Sequence, residues 1–161
     1  MRKRSKYRPK PVLANPVGFV LEGFAPVRTH ENYLLDLKIK NSMAMKALLR
    51  GEATREDMDA LVAMSNIVEA FYRLGFGTEY GEACVGGREA IIGIAYRAKE
   101  RGRFVPTGPE IAKLNLLMEL HDAQMDVVTV NDITKALDYA RKQFAAKKNV
   151  TYLPSVKELA A

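Results

Sequence analysis

Apolar positions follow a two-residue rhythm near the start of the chain and a helical rhythm from Asn41 onward. Leu35, Leu37 and Ile39 alternate with Asp36, Lys38 and Lys40, which predicts a short strand over 33–40 with one buried face. Its backbone must pair with the 17–24 or 103–106 region, or with a second copy of the chain. Asn41 then stands as the cap of a helix through Leu49, closed by Gly51. Thr54 and Asp57 begin a helix to about Leu74, with Met58, Leu61, Val62, Val68 and Phe71 on one stripe and Gly75 at its end. A third helix is predicted from about Glu79 to Arg101, before Gly102. Gly86 and Gly87 lie inside it and cost roughly 1 kcal/mol each against alanine. Either the helix breaks there or another backbone packs against that spot. Thr107-Gly108-Pro109-Glu110 is a capping box for a helix to about Val128, and Asn131 and Asp132 cap a last one over roughly 132–147.

Connections of about 3–6 residues favour antiparallel neighbours. Ile111, Leu114, Leu116, Leu117, Met118 and Leu120 make the 107–128 helix apolar around most of its circumference, which places it at the centre. The predicted fold class is mostly α: a bundle of about four to five helices with a short N-terminal strand and an extended basic arm. Residues 1–14 form the arm, 15–149 a single helical domain and 150–161 a tail. Asn15-Pro16 reads as the start of a turn or two of helix over 17–22, stopped by Gly23 and Pro26.

Composition changes this picture in two ways. No apolar run approaches the roughly 20 residues of a membrane span, so no membrane role is expected. The basic N-terminus leads into Pro-rich polar sequence rather than an apolar stretch, so no secretory signal is expected either. A lone cysteine, Cys84, excludes an internal disulfide and a cysteine-based zinc cage, and makes a reducing cytoplasmic setting the default. Charge is the second change. The chain carries +6, and residues 1–10 hold six Lys and Arg with no acid; the other 151 residues balance 19 basic against 19 acidic side chains. The excess belongs to an arm, not to a surface.

Arg2, Lys3, Arg4, Lys6, Arg8 and Lys10 are therefore the candidate nucleic-acid contacts, with Tyr7 placed to stack on a base. Such an arm gives salt-dependent, sequence-tolerant affinity; an acidic protein surface or plain solubility would use the same charges. Glu119, His121, Asp122 and Asp126 form the acid–histidine cluster. Asp122 and Asp126 share a helix face that could hold a hard cation, but His121 continues the inward stripe Ile111, Leu114, Met118, Met125 and Val128, which favours a structural role. No metal and no cofactor is expected. The glycines at 75, 77 and 81 follow a helix rather than a strand, so they read as a turn and not a phosphate loop. Cys84 stands near Glu79, Glu82 and Glu89, which raise a thiol pKa, so no catalytic residue is assigned. For a helix-turn-helix, Glu79 and Glu82 would repel phosphate; the last helix, with Asn131, Thr134, Lys135, Arg141 and Lys142, suits DNA better but is blunted by Asp132 and Asp138. Arg97, Lys99, Arg101 and Arg103 form a second basic cluster, which a helix C-terminus favours without any ligand.

Three segments carry a resemblance: Arg2-Lys-Arg-Ser-Lys-Tyr-Arg-Pro-Lys10, Leu37-Lys-Ile-Lys-Asn41 and Glu119-Leu-His-Asp-Ala-Gln-Met-Asp126. Together the chain resembles a group of small, functionally uncharacterised proteins encoded by tailed bacteriophages and prophages. The resemblance implies a phage product in the host bacterial cytoplasm that acts by binding, and it carries no catalytic residue over. Two functions follow as expectations. One is a non-enzymatic protein whose arm contacts nucleic acid; the other is an inhibitor of a host complex, in defence or takeover, that acts by steric occlusion on an acidic protein surface. The unpaired 33–40 strand and the apolar 107–128 helix also suggest a homo-oligomer.

Overall fold

The structure is a computed structural model and describes residues 31–148 together with Phe24, Pro26, Val150, Thr151 and Leu153. Within these residues it is a bundle of five helices: α1 (Glu31–Arg50), α2 (Arg55–Arg73), α3 (Gly81–Arg101), α4 (Gly108–Val127) and α5 (Val130–Ala146). The predicted arm at 1–14, the turn at 17–22 and the last residues of the tail lie outside the described residues.

Three helices begin with the same device. The Thr54 hydroxyl accepts from the Asp57 amide while the Asp57 carboxylate accepts from the Thr54 N–H, at 3.2 and 2.8 Å. Thr129 and Asp132 repeat this at the start of α5, at 3.3 and 3.1 Å. At the start of α4, Glu110 accepts from both the amide and the hydroxyl of Thr107. Each satisfies amides that have no partner inside the helix. Asn131 and Asp132 were expected to cap α5; the cap is Thr129, and Asp132 is its third helical residue. A 3-10 turn at Thr78–Tyr80 occupies the predicted first residues of α3.

The predicted strand over 33–40 is the first half of α1. Its alternation does not describe burial, since Leu35 is 57% and Ile39 46% exposed. The inward row is Leu37, partly buried, and Asn41, Ala44, Met45 and Leu48, all buried, at helical spacing, and Asn41 lies within the helix rather than capping it.

The centre of the bundle is α2, which packs against each of the other four helices. The apolar circumference of the 107–128 helix predicts α4 in that place. However, α4 turns Leu116 outward at 47% exposure, while α2 buries Ala60, Ser65 and Ala70, small residues that admit neighbours on several sides. Leu48, Met58, Leu61, Ile91, Ile94, Leu114 and Leu117 form the main core. Phe71, Met125, Val128 and Ala136 form a smaller one under α5, where Phe71 meets Phe76 edge-on with ring centres 6.0 Å apart. Beyond α5 the chain returns to α2: Asn66 exchanges hydrogen bonds of 2.9 and 2.7 Å with the Thr151 backbone, and Thr151 and Leu153 are buried. Helix α3 runs unbroken through Gly86 and Gly87; the close neighbour there is the Leu117 side chain of α4 rather than a backbone. Among the described residues no helix is long and apolar enough to cross a membrane.

Candidate nucleic-acid interface

Arg2, Lys3, Arg4, Lys6, Tyr7, Arg8 and Lys10 lie outside the described residues. What the structure supplies is the point from which they extend. Pro26 forms an isolated antiparallel bridge with Thr129, the cap of α5. Lys10 is 16 residues from that anchor, a reach of at most roughly 55 Å. Helix α5, with 17 residues, is only about 25 Å long. All of its length is therefore within reach of the arm.

Helix α5 and the residues just after it also carry a run of cations. Lys135, Arg141 and Lys142, followed by Lys147 and Lys148, stand against Asp132 and Asp138, and all five cations are exposed. The two acids are occupied by cations of the same helix, Asp132 by Lys135 and Asp138 by Arg141, which leaves Lys142, Lys147 and Lys148 in no ion pair with another described residue. Burial alone would raise the Asp132 carboxyl, but hydrogen bonds from Thr129 and Lys135 outweigh it and hold it below its ordinary value. Asp138 lies 3.4 Å from Arg141, an exposed pair of little energetic weight. The helix fully buries only Ala136 and turns Phe144 outward at 65% exposure, three residues after Arg141 and so on the same face. An exposed ring among cations is the pattern that stacks on unpaired bases. Phe144 is absent from the candidate contacts read from the sequence, although its i+3 spacing from Arg141 is legible there.

In the second basic cluster Lys99, Arg101 and Arg103 are exposed, and one member is committed elsewhere. Arg97 forks onto Glu110, with Nη1 2.8 Å from Oε1 and Nη2 on Oε2, and also donates to the Val105 carbonyl. It ties α3 to α4 and is not available to a ligand.

The acid–histidine cluster is divided in the same way. His121 is 2% exposed, with Nδ1 3.2 Å from Asp122 Oδ1, while Asp126 faces outward and pairs with Lys38 at 3.7 Å. Among the described residues no group of three or more His, Cys, Asp or Glu is placed to hold a metal ion. A cavity of about 110 Å³ beside His121 is lined by Leu37, Asn41, Ala60, Met64 and Ile67. Burial, above all, pushes the His121 imidazole down, against the opposing pull of Asp122. A buried neutral histidine makes the unfolded chain the better proton acceptor. Its contribution to stability is complete above the unfolded value of about 6.5 and is lost as pH falls through the lower folded value. The melting temperature is therefore expected to drop between pH 7 and 5, and His121→Gln to flatten that drop. A wild-type melting temperature constant over this window would contradict it.

Cys84 is buried, and burial foremost, then Glu69, pushes its thiol up to about 11. That is the opposite of an activated nucleophile. An open cleft of about 540 Å³ between α2, α3 and α4 carries Glu69, Arg73, Glu82, Arg88, Glu89 and Lys113. Its charges largely satisfy each other, Arg73 with Glu69 at 2.9 Å and Lys113 with Glu89 at 3.3 Å. No protein-family model, curated protein or solved structure matches the chain.

Proposed function

We propose that this is a non-enzymatic, phage-encoded binding protein of the host cytoplasm that holds nucleic acid along its phosphate backbone. The arm Arg2, Lys3, Arg4, Lys6, Tyr7, Arg8 and Lys10 supplies most of the charge, and the outer face of α5 supplies a second strip. One observation supports this reading above the others: the segment downstream of the arm is bridged, through Pro26 and Thr129, to the head of the helix that carries this second strip. Tyr7 and Phe144 add stacking surfaces, which favours single strands over duplex.

The test is binding of the full chain, and of the chain lacking residues 2–10, to duplex DNA, single-stranded DNA and RNA across a salt series. Six arm cations imply a slope of log K against log salt up to about −5 on duplex and about −4 on single strands. Deleting the arm is expected to remove most of that slope and on the order of a thousandfold in affinity at low salt. A truncated chain that binds as well as the intact one would refute the role of the arm. No binding by the full chain at physiological salt would move the reading to an acidic host protein surface, blocked by occlusion.

A further inference from the structure

Helix α1 is apolar on two opposite faces. One enters the core through Leu37, Ala44, Met45 and Leu48. The other carries Leu35, Ile39, Met43 and Leu49, which are 57%, 46%, 62% and 50% exposed. Residues 35, 39, 42, 46 and 49 repeat at spacings of four and three, the seam of a two-helix coil. We propose that this face binds the same face of a second copy, with the two α1 helices antiparallel about Ser42.

The charges and side-chain sizes select that occupant. Antiparallel pairing about Ser42 sets Leu35 against Leu49 of the second copy and Ile39 against the aliphatic stem of its Lys46. Along the flank, Asp36 meets Arg50 of the second copy and Met43 meets its own counterpart. Asp36 and Arg50 are both exposed and form no ion pair with another described residue. Ser42, at the two-fold axis, is small enough for the helices to close. A parallel pair would instead set Lys46 against Lys46 in the seam. The inference is independent of whether the arm binds nucleic acid.

Sedimentation equilibrium of the full chain tests it. The wild type is expected at twice the monomer mass of 18.0 kDa, and Ile39→Glu at the monomer mass with its helical circular dichroism retained. Asp36→Arg and Arg50→Asp each weaken the dimer, by about tenfold for the two symmetric pairs, and the double exchange restores it. Ser42→Cys is expected to form a disulfide-linked dimer on mild oxidation, which wild type, with only the buried Cys84, does not. A wild type that stays monomeric at all concentrations would overturn the proposal and leave this face to residues 11–30 of the same chain or to solvent. A dimer that survives Ile39→Glu, or a double exchange that fails to restore one, would also overturn it.

Discussion

Gly87→Val is expected to destabilise the bundle by about 2–4 kcal/mol, while Gly86→Ala, one position earlier, is expected to stabilise it by about 0.5–1 kcal/mol. Both glycines are inside α3, so helix propensity alone treats them alike. Their neighbours do not. A Cβ on Gly87 would lie 2.7 Å from Leu117 Cδ2 and 2.9 Å from Leu117 Cβ. Rotating the Leu117 side chain moves Cδ2 but leaves Cβ in place, and Leu117 is fully buried. Relief therefore requires α3 and α4 to separate along the contact that organises much of the core. Valine adds two methyl groups to the clash and the stiffness of a β-branched residue. A Cβ on Gly86 would meet only the Lys113 side chain at 3.6 Å, an ordinary contact with a movable stem. Alanine there restricts the unfolded chain without straining the folded one. Urea denaturation of the two variants decides the matter. Equal effects of the same sign would mean that the glycines are tolerated rather than required for the α3–α4 approach.

That pair also marks how far the sequence could be read. Two glycines in a helix predict either a break or the approach of another backbone; the structure shows neither, but a close side chain, Leu117, at Gly87 alone. The helix ends at Gly75 and Gly102 were legible because a left-handed residue has a local signature, and both adopt positive φ, 98° and 67°. The caps at Thr54 and Thr107 were legible for the same reason. Near residue 35 the local signal was ambiguous. Three apolar residues at i, i+2 and i+4 satisfy a strand, and their ends also satisfy one turn of helix. The deciding evidence was the row Leu37, Asn41, Ala44 and Leu48, and Asn41, polar but only 4% exposed, concealed it. At Thr129, Asn131 and Asp132, three cap-forming residues fall within four positions, so propensity could not choose among them.

The candidate site divides along the same line. The charge of the arm could be counted, because counting needs no structure. Its anchorage beside α5 could not, because the Pro26–Thr129 bridge joins residues 103 positions apart and has no local signature. Arg97 was assigned to a favourable helix C-terminus when its actual partner, Glu110, lies beyond the next turn.

Glu110 is the second place where a single change is expected to cost much. Its carboxylate accepts from both terminal nitrogens of Arg97 and from the amide and hydroxyl of Thr107. It thus closes the start of α4 and fastens α4 to α3 at once. Glu110→Ala removes the cap, worth about 1 kcal/mol, and leaves the guanidinium of Arg97 without its carboxylate partner. Arg97 is partly buried, and its Nε, a buried atom, already has no partner. Breaking a fully buried pair from one side costs about 3–5 kcal/mol, and a partly buried one such as this about 2 kcal/mol. For the two losses together, the expected total is about 3 kcal/mol, or roughly 6–12 °C in melting temperature for a chain of this size. Arg97→Met is expected to cost less, since Glu110 can still serve Thr107. Acid provides an independent check. Burial tends to raise the Glu110 carboxyl, but the hydrogen bonds from Arg97 and Thr107 prevail and hold it below its ordinary value. Its stabilisation is then complete above the unfolded carboxyl value, near about 4.3, and fades as pH falls through the folded one. The stability gap between wild type and Glu110→Gln should be widest at neutral pH and shrink below about pH 4. A gap that stays constant from pH 7 to 3 would show that shape, not charge, fastens the two helices.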